Sequence, residues 1–188
     1  PYIFLKEVLV LLNKLSKEVS YALRHSPEKY NLKLDEYGFV YIEDLLKALN
    51  NIDKWKNIKK EDLVIMIDKS DKKRFEIVDN KIRAFYGHSV PIKILKEEKI
   101  PPKILYHGTS KEAFNIIEKE GLLPKSRQYV HLSQDIETAK LVAKRHSKNI
   151  IVILIDTEKA IKDGIKFYYG NDKVWLVDSL LPKYFLEI

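Results

Sequence analysis

Residues 93–103 divide this chain. The stretch is crowded with Lys and Glu and carries Pro101 and Pro102 in succession. Proline lacks the backbone donor that a helix interior or a central strand requires. No regular element runs through such a segment, which reads as a linker. A chain of 188 residues interrupted there leaves two lobes, 1–92 and 104–188, each able to close one small core. Their element patterns differ, and the expected class is α+β.

On the N-terminal side Leu5, Val8, Leu9, Leu12, Leu15, Val19 and Leu23 recur at helical spacing. The pattern predicts an amphipathic helix ending near Arg24-His25, ahead of Pro27. Asp35-Glu36-Tyr37-Gly38 reads as a turn, 39–42 as a short strand and 43–49 as a helix. A further helix is predicted over 60–67, with Leu63, Val64 and Ile67 inward. Residues 74–78 and 81–85 flank Asp79-Asn80, the pattern of a hairpin with a two-residue loop. Three helices followed by a hairpin predict a winged-helix lobe. That shape commonly binds nucleic acid and also mediates protein contacts.

On the C-terminal side the predicted order is strand 104–106, helix 111–120 with Gly121 as its C-cap, strand 129–132 and helix 136–146. The unbroken β-branched run at 150–155 predicts a fully buried strand. Strands at 166–168 and 174–176 complete the lobe.

Composition removes several chemistries. The chain has no cysteine, so disulfides, thiolate catalysis and cysteine zinc sites are excluded, which fits a cytoplasmic protein. No pair of His at ligand spacing meets a third ligand, so no metal is expected. No apolar run approaches the roughly 20 residues of a membrane span. Residues 1–12 lack the basic start and small-residue cleavage site of a signal peptide. There is no Walker loop, nucleophile elbow or Gly-rich dinucleotide fingerprint. The net charge of +7 is a mild pointer to a polyanion such as RNA. The arginines are sharper: they are only Arg24, Arg74, Arg83, Arg127 and Arg145. A chain that uses Lys for generic charge keeps Arg where the planar guanidinium fork matters. Codon usage produces the same scarcity, so the argument ranks candidates only.

Several clusters are candidates for chemistry. Arg24-His25 at a helix end either complements the helix dipole or forms a phosphate fork beside a proton-donating imidazole. Arg83 points away from the face of Ile82 and Ala84, into solvent or toward a ligand. Gly87-His88-Ser89 pairs a glycine, which admits close backbone approach, with two polar side chains. Tyr106-His107-Gly108-Thr109-Ser110 ends a strand and opens a helix. It is either a turn with an N-cap or a holder for ribose and phosphate. His131 and Ser133 leave one face of a strand, with Arg127 just upstream. Arg145-His146 reads as solvated surface in mid-helix.

In order, these segments resemble the RNA 2′-phosphotransferase family. Leu15-Ser16-Lys17 through Leu23-Arg24-His25-Ser26-Pro27 is similar to its opening motif, and Leu34-Asp35-Glu36-Tyr37-Gly38-Phe39-Val40 to the next. Lys73-Arg74-Phe75, then Ile82-Arg83-Ala84 with Gly87-His88-Ser89, resemble the third. Tyr106-His107-Gly108-Thr109, Gly121-Leu122 with Arg127, Val130-His131-Leu132-Ser133 and Val174-Trp175-Leu176 resemble the second lobe. The chain departs from the family at Tyr86, where Gln is usual, and at Tyr129, where His is frequent.

The resemblance implies an N-terminal winged-helix RNA lobe and a C-terminal ADP-ribosyltransferase-like lobe that binds NAD as a consumed co-substrate. It places a catalytic quartet on Arg24, His25, Arg83 and Arg127. His107, Gly108, Thr109, His131 and Ser133 are expected to bind NAD, and Lys73, Arg74, His88 and Ser89 to contact RNA. The implied partner is RNA bearing a 2′-phosphate, with spliced tRNA as the family-level expectation, acted on by a monomer. The implied reaction has two steps. The RNA 2′-phosphate displaces nicotinamide from NAD; the ribose 2″-hydroxyl then attacks that phosphate, freeing 2′-hydroxyl RNA and ADP-ribose 1″,2″-cyclic phosphate. Two other functions fit the same residues. One is an ADP-ribosyltransferase that caps terminal phosphates of nucleic acids, and the other is a non-catalytic RNA-binding protein.

Overall fold

The computed structural model describes residues 2–186, with side chains from residue 7 onward; Leu5 of the predicted stripe lies outside the described side chains. The chain forms two compact units, Pro1–Leu95 and Lys96–Ile188. It is a mixed α+β protein, with a helical N-terminal region and antiparallel sheets in both units.

The first unit opens with helix α1 (Tyr2–Arg24). Leu15, Val19, Ala22 and Leu23 are buried, but Leu9 is 40% exposed. Among the described side chains the stripe is therefore buried from Leu15 onward, with Leu12 partly buried against the same core. Strand β1 (Phe39–Tyr41) leads directly into α2 (Ile42–Asn50), and α3 (Lys60–Asp68) follows. In α3 Leu63 and Met66 are buried while Val64 is 39% exposed. The predicted inward Val64 is thus corrected: the core lies along the i, i+3 line of Leu63 and Met66.

Strands β2 (Phe75–Val78) and β3 (Lys81–Ala84) form the hairpin around Asp79-Asn80. Asp79 has φ of 53°, a conformation that Asp tolerates in such loops. β1 pairs with β3 and completes a sheet of order β1-β3-β2. Cross-strand partners share a face. Phe75, Ile77, Ile82, Ala84 and Val40 form the face that meets the helical core. Glu76, Arg83 and Phe39 form the opposite face.

The second unit carries β4 (Ile104–Ser110), α4 (Lys111–Glu120), β5 (Val130–Ser133), α5 (Ile136–Ala143), β6 (Ile150–Asp156), α6 (Thr157–Lys162), β7 (Phe167–Asn171) and β8 (Val174–Val177). Its antiparallel sheet has the order β6-β4-β5-β8-β7. β6 is therefore an edge strand. Ile153 and Ile155 are buried, but Ile150, Ile151 and Val152 are half-buried, so the predicted full burial is corrected. α6 had no counterpart among the predicted elements. The Asp156 side chain accepts from Lys159 N and starts it, and the buried Thr157 hydroxyl donates to Pro102 O at 2.6 Å. Within 93–103, backbone bonds run from Lys99 N to Phe167 O (3.1 Å) and from Tyr169 N to Glu97 O (2.9 Å). That part of the segment lies against β7 rather than free. Among the described residues no helix is long and apolar enough to cross a membrane.

Candidate functional site

The first unit gathers part of the expected constellation at the end of α1. Arg24 donates from Nη2 to Arg74 O at 3.4 Å, and its guanidinium lies over the rings of Phe75 (5.7 Å) and Tyr86 (5.4 Å). Cation–π contact of this kind orients the guanidinium plane. Tyr86, a departure from the family pattern, thus has a definite task here. Gly87 takes φ of 87°, which a side chain would resist. The turned chain then lets Ser89 N donate to Arg24 O at 2.9 Å. The Ser89 hydroxyl meets His25 Nδ1 at 2.8 Å. This bond fixes the imidazole ring and leaves Nε2 as its other proton-handling atom.

His25 and Arg74 line an open groove of about 450 Å³ whose remaining lining is Asn13, Ser16, Lys17, Ser20 and Tyr21. Arg74 reaches Ser70 Oγ from Nη1 at 2.9 Å. Lys29 Nζ donates to Tyr21 Oη at 2.7 Å and holds that phenol below its ordinary pKa. Lys73 is exposed beside Arg74. His88 is 2% exposed, so its ring packs in the interior and presents no surface to RNA. Ser89 is exposed.

Arg83 stands apart from this cluster. It alternates with Ile82 and Ala84 and so leaves the sheet on the face away from the helical core. There it forms an ion pair with Glu76, its cross-strand partner, and stacks on Phe39 at 4.4 Å. Its Nη1 also donates to Tyr37 O at 3.3 Å. Arg24 lies over Phe75, whose side chain belongs to the opposite, core-facing side. The sheet therefore separates the two arginines.

In the second unit the segment Tyr106-His107-Gly108-Thr109-Ser110 is strand throughout, not the predicted strand end and turn. Ser110 also caps α4, its hydroxyl accepting from Ala113 N at 3.1 Å. Gly108 is where α5 crosses β4: a Cβ there would stand 2.0 Å from the Ala139 carbonyl oxygen. β4 and β5 register at Tyr106↔Ser133. Beyond it, the ring of His107 takes over, with Nδ1 3.0 Å from His131 O. A carbonyl only accepts, so Nδ1 carries the proton and Nε2 is left as an acceptor. Burial lowers the pKa of His107 below its ordinary value of 6.5, against the raising effect of that bond. His131 and Ser133 share the face of Tyr106, whereas His107 and Thr109 leave β4 on the other face. Ser133 is 7% exposed. Tyr129 is buried edge-on against Tyr168 at 5.4 Å. Arg127 is exposed on the loop before β5, its N–H bonded to Pro124 O at 3.0 Å. Arg145 and His146 are exposed and lie past the end of α5 rather than in mid-helix. Among the described residues, no group of three or more His, Cys, Asp or Glu could hold a metal ion.

The groove residues Asn13, Lys17 and Tyr21 were not among the sequence candidates. Their signal was available: with His25 they recur every fourth residue along the helix.

Comparison with known proteins agrees with the resemblance. The sequence profile described as "RNA 2′-phosphotransferase, Tpt1 / KptA family" matches residues 12–179. A "Probable RNA 2′-phosphotransferase" of Bacillus thuringiensis is 59% identical over 93% of this chain and 94% of its own length. Another from Acetivibrio thermocellus is 52% identical over 94% and 97%. One from Pyrococcus furiosus is 42% identical over 93% and 94%. The chain therefore belongs to the RNA 2′-phosphotransferase, Tpt1/KptA family.

Proposed function

We propose that this chain removes a 2′-phosphate from RNA, with spliced tRNA as the physiological substrate, and passes it to the ADP-ribose part of NAD. The observation that carries the assignment of roles is the grouping of Arg24, His25 and Arg74 at one end of α1. Two guanidiniums and an imidazole match a phosphate dianion and a departing oxygen. On this reading the first unit is a winged-helix RNA lobe, a role supported by its helices, hairpin and third strand β1. The second is an ADP-ribosyltransferase-like NAD lobe.

NAD, when bound, supplies the ribose whose anomeric carbon accepts the phosphate as nicotinamide leaves. His107 Nε2 is an acceptor suited to a ribose hydroxyl, and Thr109 adds a polar group on the same face of β4, whereas His131 and Ser133 stand on the other face. Gly108 serves helix packing. Val174, registered against Ser133, stands where many ADP-ribosyltransferases carry Glu. A phosphomonoester with a second pKa of about 6 is already an anionic nucleophile and needs no such base. Arg24 and Arg74 clamp the phosphoryl oxygens as charge builds on them, and Arg127 supports the transferred phosphate or the pyrophosphate. His25, held by Ser89, moves the proton at the RNA 2′-oxygen or at the attacking hydroxyl.

This assigns to Arg74 the clamp that family resemblance alone gives to Arg83. Arg83 is neutralised by Glu76 on the far side of the sheet and serves stability. The test is incubation of each alanine variant with NAD and a 2′-phosphorylated oligonucleotide, with mass spectrometry of both products. Arg24→Ala, His25→Ala and Arg74→Ala should accumulate 2′-phospho-ADP-ribosylated RNA, whereas folded Arg83→Ala should complete the reaction. Stalling by Arg83→Ala with normal turnover by Arg74→Ala would reverse the assignment. ADP-ribosylated 5′ or 3′ ends without cyclic phosphate would favour end-capping instead.

A further inference from the structure

We propose that the groove along α1 is a subsite for the ribose–phosphate backbone of the RNA strand adjoining the 2′-phosphorylated nucleotide. The inference rests on the reading of His25 and Arg74 as phosphate ligands, and extends it away from the reacting atoms.

The helix geometry makes the groove. Asn13, Lys17, Tyr21 and His25 lie four residues apart and form one ridge on the helix surface. Ser16 and Ser20 occupy the adjacent row, and their short side chains leave a channel beside that ridge. Ser16 is 5% exposed, so it forms the floor, while Asn13 and Lys17 are exposed on the rim. From Asn13 to His25 the helix rises about 18 Å at ~1.5 Å per residue. That length accommodates more than one nucleotide.

The chemistry of the lining selects the occupant. Every lining residue carries a polar group, and none is Asp or Glu, although the chain holds 27 acidic residues. Lys17 near the middle and Arg74 at the end give two cationic positions for successive phosphates. The Asn13 amide and the Ser20 hydroxyl donate and accept, as recognition of a ribose 2′-hydroxyl requires. Exposed Lys72 and Lys73 next to Arg74 extend the positive charge at the same end. An apolar or mixed-charge peptide finds no complement in such a lining, whereas an RNA backbone does.

The test uses three substrates: a 2′-phosphorylated dinucleotide and two oligonucleotides extended from it by several nucleotides on the 5′ or the 3′ side. The variant is Asn13→Ala/Lys17→Ala, both rim positions whose truncation leaves the core intact. Wild type should prefer one of the extended substrates. The double variant should lose about tenfold in kcat/KM on that substrate and nothing on the dinucleotide. Its logarithmic salt dependence should become shallower by about 0.7, the loss of one single-strand phosphate contact. An equal loss on dinucleotide and extended RNA would overturn the proposal, as would no loss on any substrate or no wild-type preference for either extension. If wild type leaves all three substrates unreacted, the reading of the reaction itself fails, and the subsite falls with it.

Discussion

Gly108→Ala is a demanding test of how the second unit is built. Residues of this type in a strand are often explained by close approach of a ligand to the backbone. Here the approach is made by the protein. The added Cβ would stand 2.0 Å from Ala139 O, 2.7 Å from its carbonyl carbon and 3.1 Å from Ala143 Cβ. Reaching ordinary contact at 3.4 Å requires α5 to move outward by about 1.4 Å. The obstacle is helix backbone, so no rotamer change relieves it. Overpacking of this kind costs roughly 1–3 kcal/mol, and a backbone clash belongs at the upper end. For a chain of this length that corresponds to a fall in Tm of about 5–10 °C. Differential scanning fluorimetry gives the shift, and isothermal titration with NAD measures binding well below the new Tm. An unchanged Tm accompanied by lost NAD affinity would refute the packing argument and restore Gly108 to a direct contact.

Three further outcomes follow from the same geometry. Met66→Ala should cost about 2–5 kcal/mol in chemical denaturation, whereas Val64→Ser should stay within about 0.5 kcal/mol, because only the first side chain is buried. His107 is held below its ordinary value of 6.5 by burial. Below that pH the unfolded chain takes up a proton that the folded chain refuses, so stability falls as pH drops through and below that value. His107→Asn should flatten this limb in pH-dependent melts; an unchanged slope would refute the assignment. Ser89→Ala should preserve Tm while shifting the pH–rate profile, since it removes the hydroxyl at 2.8 Å from His25 Nδ1.

Alternation and periodicity were informative about which side chains share a face and silent about what covers that face. Along β3 the pattern correctly sets Arg83 against Ile82 and Ala84. Nothing local says that α1 lies on the other side, so alternation alone leaves Arg83 facing either solvent or a ligand. The apolar stripe of α1 is visible in full, but its exposed Leu9 shows that a helix can outrun its core. Val64 and Met66 are both apolar neighbours in α3, and only tertiary packing chooses between them. The run at 150–155 reads as buried because β-branched residues suit either a central or an edge strand; its edge position follows from the partner order. α6 is short, and its start depends on Asp156 and on Thr157 reaching the carbonyls of Pro102 and Lys103, partners distant in sequence. Gly87-His88-Ser89 shows the limit most clearly. Of its two polar side chains, His88 is buried and Ser89 exposed, directly after a positive φ at Gly87.

The sparse pairing of β4 with β5 has a mechanical consequence. β4 is stitched to β6 along its whole length and β5 to β8 along its own, but the two pairs of strands register at a single residue pair. The two leaves of the sheet thus share one registered backbone pair, Tyr106 and Ser133, with the His107 ring bond to His131 as a clasp, while α5 packs on strands of both. Changing the angle between the leaves breaks few backbone hydrogen bonds, whereas bending either leaf breaks many. Amides flanking the seam should therefore exchange with solvent sooner than those within the leaves, and a ligand entering there meets a compliant wall.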